Sequence, residues 1–265
     1  MKPFFITIPH AGEIVPPEAF WLKGLPENIL FCDPDRYVDV LYKPAIDELK
    51  IPSIVASCHR YVVDLNRLPD DIDSDSVEDC PVKSGTHPKG YHWSVTTKGN
   101  RLISKPISDR LHRELTEKYF LPFHKKVQTQ FADFFKTGAE RVYHLDAHSM
   151  PSVGEALHTD PGQLRADIVI SDFKGKSCSK EFLDLVCSAY EKAGFGIKVN
   201  FPYIGGRITE TYGVPSIGQH TIQVEMNRRL YMDEVTKKIN KDLSAEVQKK
   251  VTVAIKYIYE KLPKN

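Results

Sequence analysis

The 265-residue chain lacks long apolar stretches and a strong net charge, and each absence excludes a class of protein. No stretch approaches the roughly 18 apolar residues that a membrane-spanning helix needs. Lys and Arg number 36 and Asp and Glu 35, so the net charge of +1 argues against bulk attraction to nucleic acid or to an anionic membrane. The sequence therefore predicts no nucleic-acid partner and no membrane attachment, and it specifies no oligomeric state.

Cysteines are few, and the pattern of the first residues does not predict a secretory signal. The five cysteines are odd in number, widely spaced and without a CxxC pair. We interpret them as reduced thiols of a cytoplasmic protein, with disulfide bonds or a cysteine zinc site as the alternatives. The first apolar run is short, is broken by Pro9 and is followed by Glu13, which indicates a strand and a turn. We therefore expect a cytoplasmic protein.

Short apolar runs alternate with longer amphipathic stretches, which predicts an α/β fold. Runs rich in β-branched and aromatic residues favour strands at 3–9, 53–57, 61–65, 141–147, 167–171, 196–200 and 220–226. Helical patterns occupy 35–49, 107–136, 179–193 and 233–261, with breaks expected at Pro44 and Pro122. No repeat or linker divides the chain. We predict one domain over residues 1–265, a three-layer sandwich with a mixed, largely parallel sheet flanked by helices.

Residues 68–100 form a polar segment rich in Pro, Gly and Asp between these elements. A loop of this length within a globular domain is commonly functional. We expect it to lie over the active site.

The first strand runs into the sequence PHAGE, which places His10 and Glu13 three residues apart in a turn. Ligands bind beyond the carboxyl ends of strands in open α/β sheets. An imidazole nitrogen and a carboxylate oxygen are both ligands of zinc. The pair therefore indicates a metal site, although the same spacing also occurs in surface ion pairs.

A second group of polar residues ends the strand in RVYHLDAHSM. His144, Asp146 and His148 share one face of the strand because side chains alternate every two residues. His148 can supply a third ligand, giving the His₂Glu set with one open position that suits a zinc hydrolase. Which of the three residues touches a metal stays open, and a hydrogen-bonded buried histidine is the alternative. For a shared ion, the rings of His10 and His148 must lie within about 8 Å of each other.

Two further predicted strands carry residues that are suited to substrate binding and to proton transfer. In HRYVVDLNR, Asn66 and Arg67 can bind a substrate carboxylate, and Asp64 can accept the second N–H of a metal-bound histidine. A structural Arg–Asp pair is the alternative. In HTIQVEM, Glu225 lies among apolar neighbours, which suits a general base. Its alternative is a buried ion pair with Arg228 or Arg229.

The order HxxE, VDLNR, His-Ser and a late Glu resembles the zinc carboxypeptidase pattern. A closer resemblance is to the N-formylglutamate amidohydrolase (N-formylglutamate deformylase) family, itself similar to those peptidases. The segments that carry it span almost the whole chain: PHAGEIVP, DRYVDVLY (35–42), RYVVDLNR (60–67), LDAHSM (145–150), NFPYIGGRIT (200–209) and QVEMNRRLYM (223–232).

The resemblance implies one Zn²⁺ ion and hydrolysis of a small N-acylated acidic amino acid, with N-formyl-L-glutamate giving formate and L-glutamate. It implies the following roles: zinc ligands His10, Glu13 and His148; general base and proton donor Glu225; substrate-carboxylate residues Asn66 and Arg67, with Arg60 and Arg207 for a second carboxylate; and Asp64 and Asp146 behind the ligands. The alternatives are a carboxypeptidase-like amidase for short peptides or cell-wall fragments and a non-catalytic relative that binds a ligand.

Overall fold

The computed structural model describes residues 2–80 and 90–263, in which six strands form one sheet. The strands are β1 (Phe4–Ile8), β2 (Ser53–Val55), β3 (Val142–Met150), β4 (Ile168–Ser171), β5 (Ile197–Val199) and β6 (Gln219–Asn227). The helices are α1 (Glu27–Leu30), α2 (Val38–Leu49), α3 (Asp109–Leu115), α4 (Leu121–Lys136), α5 (Lys180–Lys192), α6 (Arg207–Tyr212) and α7 (Lys241–Lys261), with a π turn at Thr116–Phe120 and 3₁₀ turns at Phe20–Leu22, Pro215–Ile217 and Arg228–Leu230.

The sheet has the order β2-β1-β3-β6-β4-β5. Its strands run parallel except that β4 is antiparallel to β6. The mixed, largely parallel sheet flanked by helices is therefore confirmed. Because β1, β3 and β6 are parallel neighbours, their carboxyl ends lie at one edge of the sheet, where an open α/β sheet binds ligands.

Two apolar cores cover the two faces of the sheet. Side chains of β1 alternate between them: Phe4, Ile6 and Ile8 pack on one side, and Phe5 packs on the other. The first core contains buried residues of α2, α5 and α7, and the second contains residues of α4 and of the segment 54–65. This arrangement gives three layers. Among the described residues, no helix combines the length and apolarity that a membrane crossing requires.

The prediction of a strand at 61–65 is wrong. Its backbone turns instead, with Val62 N–H donating to His59 at 2.9 Å and Asp64 N–H to Tyr91 at 2.9 Å. The segment is apolar because it is buried in the second core, not because it pairs within the sheet. The predicted helix over 233–261 begins only at Lys241.

Both prolines lie within helices, and the structure shows how each is accommodated. Pro44 leaves the carbonyl of Val40 without its helical N–H donor. The Gln248 side chain of α7 donates to that carbonyl at 2.9 Å, so α2 continues past Pro44. Pro122 lies in the first turn of α4, directly after the π turn. Only Pro122 therefore divides its predicted helix, at the junction of the π turn and α4.

Candidate active site

Three side chains converge near the carboxyl ends of β1 and β3. Asp35 Oδ2 lies 3.4 Å from His10 Nδ1 and 3.0 Å from His148 Nδ1. The two imidazole rings are 4.8 Å apart, well within the limit set by a shared ion. Ligand atoms of a tetrahedral ion with bonds of about 2.1 Å are about 3.4 Å apart. One nitrogen of each histidine and one oxygen of Asp35 are therefore spaced as ligands of a single metal ion.

A carboxylate behind each histidine fixes which ring nitrogen faces the cluster. His10 Nε2–H donates to Asp64 Oδ1 at 2.7 Å, and His148 Nε2–H donates to Asp146 Oδ2 at 2.8 Å. The Nδ1 atoms are thus left to face Asp35. His10 Nδ1 is buried and has no hydrogen-bond partner among the described residues. A buried nitrogen lone pair without a donor, beside a carboxylate, fits a metal ligand.

The electrostatics of the cluster favour a cation. Burial alone lowers the pKa of His148, but the carboxylates of Asp146 and Asp35 outweigh it and raise that pKa well above its ordinary value. Burial likewise raises the pKa of Asp35, but the two histidines and Arg60 beside it bring that pKa well below the ordinary value. A bound metal ion would supply the positive charge that these surroundings favour.

Asp35, to which the sequence analysis assigned no role, is held in place by two arginines. Arg228 donates to Asp35 Oδ1 at 3.0 Å and also to the carbonyls of Cys32 and Asp33. Arg60 lies 3.8 Å from the same oxygen. Arg228 was considered as a partner of Glu225, but it pairs with Asp35, whereas Arg229 pairs with Asp167. The only sequence signal for Asp35 was its place in the family segment 35–42.

The structure does not bring Glu13 into this cluster. Its carboxylate is 39% exposed and accepts from the Arg36 guanidinium at 2.6 and 3.3 Å. Arg36 is fixed in turn against the ring of Phe31 and by the carbonyl of Lys237. The turn after His10 therefore directs Glu13 toward a surface ion pair, and Asp35 supplies the carboxylate beside the histidines.

Glu225 lies beside the cluster because β6 pairs with β3, with Glu225 opposite His148 in the register. It is 7% exposed and accepts from Gln223 Nε2 at 2.9 Å. Burial raises the pKa of Glu225, and the Asp35 carboxylate raises it further, against the lowering effect of His148. A carboxylate with a raised pKa is suited to both accept and return a proton near neutral pH.

Asp64 accepts four hydrogen bonds. Besides His10, it receives the Arg60 guanidinium at 2.9 Å, the indole N–H of Trp93 at 2.8 Å and the backbone N–H of Asn66 at 2.9 Å. Burial raises the pKa of Asp64, but His10 and Arg60 beside it hold that pKa well below the ordinary value. Asp64 is therefore an ionised anchor for His10.

The segment 68–100, expected over the site, contributes directly to it. Trp93 and Thr97 line the same cavity as the cluster, and Thr97 N–H donates to Asp33 at 3.1 Å. Residues 81–89 of this segment lie outside the described part. Trp93 was not singled out from the sequence, because nothing in the local pattern shows that it reaches Asp64.

A cavity of about 460 Å³ opens above the cluster. Glu225, Asn66 and Arg67 line it, as do Tyr203 and the backbone of Gly205–Gly206. Asn66 Oδ1 accepts from the N–H of Ile208 at 2.8 Å, so the segment before α6 packs tightly on the Asn66 amide. A Cβ on Gly206 would lie 2.2 Å from Asn66 Nδ2, so any larger residue there would displace the Asn66 side chain.

The other two arginines expected to bind the substrate, Arg60 and Arg207, are each paired with an acidic residue. Arg60 borders the cavity, but its guanidinium is paired with Asp64 and stacks on Trp93 at 4.6 Å. Arg207 lines a separate cavity of about 540 Å³, which Arg67 also borders. It pairs with Asp71 at 2.8 and 2.9 Å and with Glu210 at 2.7 Å. The structure thus brings Arg60 and Arg67 to the cluster's cavity and leaves Arg207 outside it.

Comparison with known protein families identifies the family of the chain. The model of a family described as N-formylglutamate amidohydrolase matches residues 2–232. The chain belongs to this family. The resemblance inferred from the sequence is thereby confirmed.

Individual relatives are similar along most of the chain. The N-formylglutamate deformylases of Pseudomonas aeruginosa and Pseudomonas putida are 32% and 29% identical to it, and each match covers 88% of this chain and 83% or 82% of the relative. The crystal structure of an N-formylglutamate amidohydrolase from Ralstonia eutropha JMP134 is 25% identical, with a TM-score of 0.86 over 98% of this chain and 94% of that one. The gene product Atu2144 from Agrobacterium tumefaciens, 15% identical with a TM-score of 0.73 over 98% and 91%, shares the fold.

In this N-formylglutamate amidohydrolase family member, Tyr203 lines the same cavity. Its hydroxyl accepts from Arg165 at 2.9 Å, and Arg165 is paired with the buried Asp160 at 2.7 Å. These two pairings fix the 151–165 segment against the cavity wall. No local pattern distinguished Arg165 from a surface arginine.

Proposed function

We propose that the protein is a zinc-dependent deformylase that hydrolyses N-formyl-L-glutamate to formate and L-glutamate. The observation that carries this proposal is the convergence of His10, His148 and Asp35 in one cavity with Glu225. The similarity to the two bacterial N-formylglutamate deformylases supports the substrate.

We assign the metal ligands as His10 Nδ1, His148 Nδ1 and Asp35, with Asp35 in the place first expected for Glu13. Two imidazoles and one carboxylate form a ligand set that suits zinc and leaves one position open. A bound Zn²⁺ ion supplies Lewis acidity toward the substrate carbonyl and lowers the pKa of water at the site toward about 7. The carboxylates Asp64 and Asp146 orient the two rings.

Glu225 provides the proton chemistry. It takes a proton from the attacking water as the water oxygen adds to the formyl carbon, and it returns the proton to the leaving amine nitrogen. The amide C–N bond then breaks, and formate and the free amino acid leave. The donated hydrogen bond from Gln223 keeps one oxygen of Glu225 in place and leaves the other for this transfer.

Arg67 and Asn66 are proposed to bind a carboxylate of the substrate. Both border the cavity directly after Asp64, the anchor of His10. Burial lowers the pKa of Arg67, which still stays protonated at neutral pH because free guanidinium titrates only above about 12. An arginine fork beside an amide N–H₂ matches the planar oxygens of a carboxylate.

A substrate panel tests the reaction. N-formyl-L-glutamate, other N-acyl amino acids and dipeptides are incubated with the protein before and after treatment with a chelator, and formate and free amine are measured. The expected result is formate release from N-formyl-L-glutamate that chelation abolishes and zinc restores. Hydrolysis of dipeptides alone would overturn the proposed substrate, and undiminished activity after complete removal of metal would overturn the metal mechanism.

Two matched variants test the ligand set. Asp35→Asn should weaken zinc binding strongly, because it removes a charged ligand and leaves Arg228 facing a neutral group. Glu13→Gln should leave zinc affinity unchanged, because the Glu13 carboxylate faces Arg36. Zinc content and dissociation constants measured for both proteins decide the assignment. The reverse outcome, loss of zinc in Glu13→Gln with retention in Asp35→Asn, would restore Glu13 as the ligand.

A further inference from the structure

We propose that Thr7 and His144 are positioning residues that orient Asp146 and, through it, the metal-facing nitrogen of His148. This inference rests on the proposed metal site. Thr7 and His144 lie behind the site, away from the cavity, and both are fully buried. No step of the hydrolysis described above uses either residue.

The register of three strands brings this chain of contacts together. Thr7 of β1 lies opposite Asp146 of β3, and His144 of β3 lies opposite Thr221 of β6. The Thr7 hydroxyl is 2.5 Å from Asp146 Oδ1 and 2.8 Å from His144 Nε2. His144 Nδ1 is 3.2 Å from the hydroxyl of Thr221. An unbroken line of hydrogen bonds therefore leads from Thr221 to His148.

The hydrogen bonds in this line can be donated in one direction only. A carboxylate accepts and does not donate, so the single hydroxyl proton of Thr7 is given to Asp146. The Thr7 oxygen must then accept from His144, which places the proton of the neutral imidazole on Nε2. His144 Nδ1 consequently accepts from Thr221. Asp146, fixed at Oδ1 by Thr7, uses Oδ2 to accept from His148 Nε2–H, which leaves His148 Nδ1 for the metal.

Packing alone does not require this polar line. His144 stacks on Phe5 with ring centres 4.3 Å apart and meets the edge of Phe131 at 5.7 Å. In such an apolar environment, a well-packed apolar set of side chains can be as stable as a satisfied polar network. An apolar set of side chains, however, would not fix the orientation of the Asp146 carboxylate. Orientation of the ligand His148 is therefore the function that the line performs.

Zinc affinity of matched threonine variants tests the proposal. Thr7→Val removes the hydroxyl at nearly constant shape, Thr7→Ser retains it, and Thr209→Val is the control. Thr209 is also buried, but its hydroxyl has no hydrogen-bond partner among the described residues. We expect Thr7→Val to weaken zinc binding by about 10-fold, the lower end of the range for groups behind a metal ligand. Thr7→Ser and Thr209→Val should bind zinc like the unmodified protein.

The affinities are measured by competition with a chromophoric chelator, with the melting temperature of each metal-free protein recorded alongside. If Thr7→Val binds zinc as tightly as the unmodified protein, the proposal is overturned, whatever its melting temperature. Equal losses in Thr7→Val and Thr209→Val would likewise assign the effect to general destabilisation.

A second measurement is made on the unmodified protein. In the ¹⁵N-histidine spectrum of the unmodified protein, His144 should show a protonated Nε2 and a bare Nδ1, with its signals assigned from their loss in His144→Gln. A protonated Nδ1 on a neutral ring would overturn the proposal, because Thr7 would then donate to His144 and not to Asp146. This result is independent of zinc binding. If the unmodified protein binds no zinc, the proposed function fails while the spectrum still reports on the line.

Discussion

Acidification should destabilise the protein through His124, a buried histidine outside the proposed metal site. Its Nε2–H donates to the carbonyl of Leu65 at 3.0 Å, and its Nδ1 accepts from the hydroxyl of Tyr212 at 2.8 Å. Burial lowers the pKa of His124 from 6.5 to about 4. The native ring thus stays neutral at pH 5, whereas the ring in the unfolded chain takes up a proton as the pH falls through 6.5.

The size of the effect follows from this difference in proton uptake. A pKa depressed in the folded state means that the unfolded chain binds more protons below pH 6.5, so stability falls as the pH falls from 6.5 toward 4. Between pH 7 and pH 5 the unfolded state gains about 2 kcal/mol from this one group, at about 1.4 kcal/mol per pH unit. His124→Gln should remove that part of the pH dependence.

Urea unfolding at pH 7 and pH 5 measures the effect, with chelator present throughout so that metal release does not contribute. The free energy of unfolding should decline by about 2 kcal/mol less in His124→Gln than in the unmodified protein. Tyr212→Phe is the matched control, because it breaks the same hydrogen bond and leaves the titrating ring in place. It should lower stability at both pH values and keep the full decline.

Two outcomes would refute the reasoning. If His124→Gln and the unmodified protein declined equally between pH 7 and pH 5, His124 would not carry a depressed pKa. If Tyr212→Phe also lost the decline, the hydrogen bond to Tyr212, and not burial, would set that pKa.

Three further predictions concern the site. Glu225→Gln should lower turnover by about 10²–10⁴ with zinc content unchanged, and unchanged turnover would remove Glu225 from the mechanism. Gly206→Ala should raise KM about fivefold, the loss of one hydrogen bond, because its Cβ would displace Asn66; an unaltered KM would exclude Asn66 from substrate binding. Trp93→Phe removes a donor to Asp64 and should weaken zinc binding about 10-fold in a chelator competition, with unchanged affinity as the contrary result.

Local patterns were sufficient for the buried strands and for the amphipathic helices. β1, β3 and β6 are short runs rich in β-branched and aromatic residues and are buried on both faces, and the helices 180–192 and 241–261 follow amphipathic periodicity. The pattern failed at 61–65, where the same kind of residues is buried by tertiary packing without strand pairing. Burial favours apolar residues in a strand and in a buried turn alike, so composition does not separate the two.

By itself, the sequence determined the family and the α/β plan and predicted His10 and His148, because the family segments and the ends of two predicted strands both point to these histidines. Only the tertiary structure shows which carboxylate lies beside both of them. Asp35 and Glu13 are both acidic residues near strand ends or helix starts, and the contacts of Arg228 and Arg36 separate them. Those contacts link residues up to 193 positions apart in the sequence. At such a separation, the order of the strands in the sheet decides which charged side chains meet.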